Sequence, residues 1–172
     1  MFRAGLASTP SIRWDARLCG TFAADGGKHV QQDEKRTVSL TPQEALIYTM
    51  VAVAASDRAI SEKELARINS MVIQLPVFRD IDSAWLSREA QDCGRILARP
   101  GGMEKVVRLI VDALPLPLRE TAYALAAEVA ASDLTIKAGE RDFLSLLAEG
   151  LQLDELVRAA LERAAAVRHR QI

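Results

Sequence analysis

A fourteen-residue pattern that occurs twice, 76 positions apart, is the strongest constraint in this sequence. Residues 52–65 and 128–141 align without a gap and share seven identities. In each copy, small residues end one helix, an Asp lies in the turn, and a Glu follows at the start of the next helix. The sequence therefore predicts two similar helix-turn-helix units related by a pseudo-two-fold axis. The identical residues are Val53, Ala54, Ala55, Ser56, Asp57, Ile60 and Glu64 in the first copy and Val129, Ala130, Ala131, Ser132, Asp133, Ile136 and Glu140 in the second.

Composition and helix boundaries predict an all-α fold. Hydrophobic residues make up 49% of the chain and aromatic residues only 5%, and Ala, Leu, Glu and Arg dominate, which favours helix over sheet. Thr41 and Glu44 form a capping box ahead of an apolar run. Prolines and glycines at 76, 100–102 and 115–117 separate further stretches with helical spacing. We expect about seven helices in a compact bundle. The apolar residues that predict the first helix are Ala45, Leu46, Tyr48, Met50, Val51 and Val53.

Three later boundaries also have local signals. Asp82 or Ser83 is expected to cap the third helix, and Asp154 the seventh. Gly150 is expected as the residue that follows the sixth helix, because glycine readily adopts a left-handed conformation.

Residues 1–38 show no sustained period and are interrupted by glycine and proline. We interpret them as a disordered or irregular N-terminal extension, followed by a helical domain over residues 39–172.

Charge and cysteine content limit the classes of function. The net charge of −1 gives no general attraction to nucleic acid, and no apolar run has the length of a membrane span. Cys19 and Cys93 form neither a disulfide framework nor a zinc-binding spacing, so a reducing, cytoplasmic location is expected. The first residues include Arg3 but no continuous apolar region, so no secretory signal is expected. Cys93 lies on an apolar helical stripe and is expected in the core. His29 and His169 are expected to be solvated.

The repeated Asp and Glu are the candidate functional residues: Asp57 with Glu64, and Asp133 with Glu140. An Asp in a turn and a Glu in the next helical turn can converge, and carboxylate oxygens suit Ca²⁺ or Mg²⁺ better than Zn²⁺. The spacing is not that of an EF-hand loop. Glu62, Glu120 and Glu128 are further candidate ligands.

The alternative is that these acids only cap helices. Glu64 would close a capping box with Ser61. In the second copy Lys137 replaces that serine, so we expect that capping alone does not explain Glu140.

The repeated pattern of an apolar helix, an Asp turn, an Ile and a later Glu resembles the TerB-like domain of tellurite-resistance proteins, over roughly residues 40–167. The resemblance implies a seven-helix fold with internal pseudo-symmetry. It also implies a divalent-metal site, which by matching positions would fall on Asp57, Glu64, Asp133 and Glu140. Related domains occur within larger proteins, including co-chaperone types with a J-domain. Family members often have Gly after the turn Asp, where this chain has Arg58 and Leu134.

These observations lead to three functional hypotheses. The first is a non-catalytic module that binds a divalent cation, partner proteins or both through its acidic turns. Such a module would act in a stress-response or membrane-associated complex. The second is a protein-interaction scaffold without metal. The third is an enzyme that uses paired carboxylates on a metal. A serine or cysteine hydrolase is not expected, because residues 39–168 contain no histidine to serve as a base.

Overall fold

The helical prediction is confirmed by a computed structural model, which describes residues 39–56, 60, 62–79, 81–132 and 137–170. These residues form seven α-helices and one short 3₁₀ helix, Pro76–Phe78, and contain no strand. The predicted extension over residues 1–38 lies outside the described residues. The pseudo-two-fold relation between the helix pairs stays a prediction. The helices are α1 (Pro42–Ala54), α2 (Glu62–Gln74), α3 (Ser83–Leu97), α4 (Gly102–Ala113), α5 (Leu116–Ala131), α6 (Ala138–Leu151) and α7 (Glu155–Arg168).

The centre of the bundle is α1. Ten consecutive residues, 45–54, are buried, and α2, α3, α4, α5 and α6 all contact this helix. A helix that is apolar on every side is stable only when it is enclosed by others. The buried hydroxyl of Thr49 donates to the carbonyl of Ala45 at 2.8 Å, so it needs no partner from another helix. α7 lies outside this arrangement and packs mainly on α5.

Three helices begin where the sequence predicts. Thr41 and Glu44 form the expected capping box, in which the Glu44 carboxylate accepts the Thr41 N–H at 2.6 Å. Of the two candidates for α3, the cap is Asp82, whose carboxylate accepts the N–H of Trp85 at 2.5 Å. Asp154 caps α7 in the same way at 2.8 Å. These starts are predictable because a cap involves only residues within one turn.

The expected end of α6 at Gly150 is wrong. Gly150 lies inside the helix, and the left-handed residue is Gln152, with φ of 57°. The N–H of Leu153 bonds to the carbonyl of Ala148 at 3.1 Å, as in a Schellman motif. Gly150 serves a different purpose, since a Cβ atom there would lie 3.0 Å from Val107 Cγ1 and 3.1 Å from Val111 Cγ2. Its small size therefore lets α6 approach α4 closely.

Cys93 is buried on α3, as expected. Its side chain is fully enclosed, and Sγ lies 3.8 Å from the carbonyl oxygen of Tyr48. Burial raises the pKa of the Cys93 thiol well above its usual range. The thiolate, which is the reactive form, is therefore disfavoured both by its environment and by lack of access.

We expect Cys93 to resist thiol reagents in the native protein. In a Cys19→Ser variant, reaction of the remaining thiol with an aromatic disulfide reagent should be at least about a hundredfold slower than in the denatured chain. Release of the coloured aromatic thiolate measures the rate. A native chain that reacts as fast as the denatured one would show that Cys93 is accessible.

No described helix combines the length and the apolar composition that a membrane span requires.

Candidate functional site

The two predicted Asp turns begin with the same local structure. The Ser56 hydroxyl donates to the carbonyl of Val53 at 2.8 Å, and the Ser132 hydroxyl donates to that of Val129 at 2.5 Å. Each of these carbonyls, in the last turn of α1 or α5, also accepts the backbone N–H of the same serine, at 3.3 Å and 3.2 Å respectively. The serine hydroxyl therefore adds a second hydrogen bond at the end of the helix. Asp57 and Asp133, which follow these serines, lie outside the described residues.

The structure brings the two repeated glutamates close to one point. Glu64 and Glu140 are the third residues of α2 and α6. The ammonium nitrogen of Lys137 lies 4.0 Å from Glu64 Oε1 and 3.8 Å from Glu140 Oε1. The two carboxylate oxygens are therefore no further apart than the sum of these distances. Both acids also lie at helix N-termini, where the helix dipole favours negative charge.

Burial differs among these three side chains. The side chain of Glu140 is 5% exposed and that of Glu64 is 16% exposed, whereas that of Lys137 is 48% exposed. The carboxylates are held inside the protein, and the ammonium reaches them from the solvent side.

The prediction that capping does not explain Glu140 is wrong in part. Glu140 Oε2 accepts the backbone N–H of Lys137 at 2.8 Å, which is the bond that the glutamate of a capping box makes. This bond needs only a backbone N–H before the helix, so replacing serine by lysine does not remove it. The reciprocal bond is chemically impossible, because an ammonium group has no lone pair to accept the N–H of Glu140. The remaining oxygen of Glu140 is the one that faces the Lys137 ammonium.

Two basic residues lie at this site but are not among the site residues that the sequence predicts. One is Lys137, and the other is Arg67 on α2, whose guanidinium donates to the Ser132 hydroxyl at the end of α5. The repeat comparison overlooks them, because Lys137 aligns with Ser61 and Arg67 with Phe143. The three side chains that the ion pairs join, Glu64, Glu140 and Lys137, carry a net charge of −1.

Comparisons with protein-family models, with curated proteins and with solved structures found no match. The resemblance to TerB-like domains therefore rests on the repeated pattern alone.

The described residues meet only part of what a metal site requires. Within them, no group of three or more His, Cys, Asp or Glu side chains is placed to hold a metal ion. Glu64 and Glu140 together offer at most four oxygens, whereas Ca²⁺ takes about six to eight ligands and Mg²⁺ six. A cation near Lys137 Nζ would also have to displace that ammonium. The predicted site thus depends on Asp57 and Asp133 for completion.

Glu128, a further candidate ligand, is engaged by the C-terminal end of α7. Its Oε1 lies 2.9 Å from His169 Nε2 and 3.7 Å from Arg168 Nη1. The expectation that His169 is solvated holds only in part, since its side chain is 29% exposed and its Nε2 contacts Glu128. The reason is tertiary: α7 packs along α5, and that packing places the last turn of α7 beside Glu128.

Proposed function

We propose that this chain is a non-catalytic, TerB-like helical module that binds a divalent cation, partner proteins or both through its two acidic turns, in a stress response of the tellurite type. The observation that carries the proposal is the convergence of Glu64 and Glu140. These residues are 76 positions apart and belong to different helices, yet both carboxylates lie within 4.0 Å of one nitrogen. A buried carboxylate and a partly buried one that face the same nitrogen form a place where positive charge is favourable.

In the cation-binding form, Glu64 and Glu140 supply oxygens, and Asp57 and Asp133 complete the ligand set. Carboxylates favour Ca²⁺ or Mg²⁺ over Zn²⁺. In the absence of a cation, the Lys137 ammonium supplies the positive charge beside Glu64 and Glu140. Because its side chain is half exposed, the ammonium can rotate into water when it is displaced.

The second candidate is a protein-interaction scaffold without metal, and the position of Lys137 favours it. In this form the ammonium is the permanent counter-charge of Glu64 and Glu140. Glu140 also caps α6 through its other oxygen. The partner would then bind elsewhere or recognise the surface of the acidic turns.

Several side chains support a non-catalytic role. The hydroxyls of Ser56 and Ser132 donate to backbone carbonyls, so their protons are not directed to a base. Cys93 is enclosed, and its raised pKa disfavours the nucleophilic thiolate. We place the protein in the cytoplasm, on the ground that neither cysteine belongs to a disulfide framework.

Thermal unfolding with Ca²⁺, Mg²⁺, Mn²⁺ or Zn²⁺ tests the cation-binding form. One cation should raise the Tm of the native sequence, and the rise should be larger in Lys137→Met, which keeps the stem and removes the competing charge. The rise should vanish in Glu64→Gln/Glu140→Gln. At a hundredfold excess over its Kd, a specific ligand of the native state adds about 2.7 kcal/mol to the free energy of unfolding.

Lys63→Met is the matched control, because Lys63 lies on α2 near Glu64 but is exposed to solvent. Its response to cations should equal that of the native sequence. If no cation raises the Tm of either the native sequence or Lys137→Met, the cation-binding form is excluded. The scaffold form then stands, and it predicts that Lys137→Met lowers the Tm without any added ion.

A further inference from the structure

Two carboxylates and a phenol hydroxyl meet where the first turns of α1 pack against α3. Glu44 and Tyr48 lie one turn apart on the same face of α1. Helical side chains lean towards the N-terminus of their helix, so the Tyr48 side chain leans towards Glu44. On α3, Cys93 Sγ contacts the carbonyl oxygen of Tyr48 at 3.8 Å, and Glu89 lies one turn before Cys93. Each helix therefore contributes a glutamate one turn before the point of contact.

Electrostatic effects agree with this placement. Burial raises the pKa of Glu89 above its usual range, and the charge of Glu44 raises it further. Burial also raises the pKa of Tyr48 well above its usual range, with further contributions from Cys93, Glu89 and Glu44. The two carboxylates thus act on each other and on the phenol, which stays protonated.

The Tyr48 hydroxyl has no partner in the described part of the chain, although Tyr48 is only 2% exposed. Tyr123, which is also buried, shows the usual arrangement, because its hydroxyl donates to Glu162 at 2.5 Å. Among the described residues, the fully enclosed side-chain N and O atoms that lack a partner comprise only Arg119 Nε. The Tyr48 hydroxyl is therefore not sealed off, and a ligand from solvent can reach it.

The two carboxylates also have unused acceptors. Glu89 is partly buried and forms no hydrogen bond or ion pair within the described residues. Glu44 uses Oε2 to accept the N–H of Thr41, which leaves Oε1. Arg88 is exposed and does not pair with Glu89, and Arg95 pairs with a different carboxylate. Negative charge at this point is therefore not neutralised by the nearby bases.

We propose that Glu44, Glu89 and Tyr48 form a binding site for a primary ammonium group, supplied by a lysine side chain of another protein or by a free diamine. This inference is independent of the proposed function. An ammonium group has three N–H donors and no acceptor. Glu44 Oε1, the Glu89 carboxylate and the Tyr48 hydroxyl oxygen offer three acceptors, and the carboxylates supply the opposite charge. We call these three residues the Tyr48 site.

A divalent cation fits the Tyr48 site less well. Ca²⁺ takes about six to eight oxygen ligands and Mg²⁺ six. No group of three or more His, Cys, Asp or Glu side chains in the described part of the chain is placed to hold a metal ion. The phenol of Tyr48 is protonated, so it accepts an N–H more readily than it coordinates a metal.

NMR titration of the full-length protein, labelled with ¹³C at its glutamate carboxyls, tests the site. The probe is n-butylammonium chloride, which has the stem and charge of a lysine side chain. The Glu89 signal, assigned by its absence in Glu89→Gln, should shift and saturate with a Kd of about 1–50 mM. Tetramethylammonium chloride is the control, because it has the same charge but no N–H donor. Equal shifts with both salts, or no saturation with n-butylammonium, would overturn the proposal.

Variants test whether the hydroxyl takes part. Tyr48→Phe keeps the ring and should weaken n-butylammonium binding at least about threefold. Glu149→Gln, at an exposed position on α6, should leave the binding unchanged. An unchanged Kd in Tyr48→Phe would refute the assignment of Tyr48.

Two further probes distinguish the sources of the ammonium group. A site for a protein side chain should bind Nα-acetyl-lysine methylamide more tightly than 1,4-diaminobutane, and a site for a free diamine should do the opposite. Failure of both probes to saturate the Glu89 signal would contradict the proposal.

The unused hydroxyl also predicts an effect on stability without any ligand. Tyr48→Phe should leave the Tm unchanged or raise it, because no hydrogen bond is lost. Tyr123→Phe is the matched comparison and should lower the Tm by about 2–6 °C, because Glu162 loses a donor. Equal losses in the two variants would show that the Tyr48 hydroxyl has a partner within the protein, and the ground for the site would be removed.

Discussion

Replacing Ile47 with Ala is expected to lower the free energy of unfolding by about 2–5 kcal/mol. Ile47 lies on α1 and has no exposed surface. Truncating its side chain removes three carbons from a site that other helices enclose. The cost combines the lost burial of these atoms with a cavity that the surrounding helices can fill only in part. Urea unfolding followed by circular dichroism measures the difference, provided that the slope of the transition is unchanged.

Ile73→Ala is the matched control. Ile73 is on α2, and 74% of its surface is exposed, so the same substitution removes almost no buried area. We expect a change within about 0.5 kcal/mol. If Ile47→Ala were equally mild, α1 would have a solvent-exposed side, and its central position in the bundle would be refuted.

The position of Ile47 shows where sequence reasoning reaches its limit in this fold. The pattern around Thr41 predicts a helix, because the cap and the apolar run are local. It does not predict that this helix is enclosed on every side, because that depends on where five other helices pack. The apolar residues whose pattern predicts this helix do not include Ile47, although Ile47 is as buried as Leu46.

At the candidate site, too, the sequence predicts local features but not those that depend on how the helices pack. The repeat predicts that Glu64 and Glu140 are equivalent, and the structure places both beside Lys137 Nζ. No comparison of the two copies can predict the role of Lys137, because it occurs in one copy only. The ion pair of Lys137 with Glu140 is local, since the two residues are three positions apart, whereas the pair with Glu64 depends on the tertiary position of α2. His169 is a similar case, since the proximity of Glu128 depends on how α7 lies along α5.

Glycines are a third case, because a glycine can serve a turn or a close contact and the sequence does not distinguish the two. At Gly101 it serves a turn, with φ of 68°. At Gly150 it serves the contact of α6 with α4. Gly102, like Gly150, lies at a close contact between two helices. Its replacement is the second substitution for which we expect a large effect on stability.

Gly102→Ala is expected to destabilise the fold by about 3 kcal/mol, at the upper end of the range for overpacking. Gly102 is buried at the first position of α4. A Cβ atom there would lie 2.3 Å from the carbonyl oxygen of Ile96 and 2.8 Å from that of Leu97. Both contacts are with the backbone at the end of α3, so no side-chain rotation can relieve them. α4 must move away from α3, and Val106 and Ile110 on α4, both fully buried, would lose part of their packing.

Gly94→Ala separates this clash from the general effect of replacing glycine in a helix. Gly94 lies within α3, and a Cβ atom there would meet nothing within 4 Å. Alanine should therefore stabilise the protein by about 0.5–1 kcal/mol, because it reduces the conformational freedom of the unfolded chain and favours the helix. The two substitutions are chemically identical and lie at neighbouring helices, yet their effects should have opposite signs. If both stabilised the protein, the close approach of α4 to the end of α3 would be wrong, since only that contact makes alanine unfavourable at Gly102.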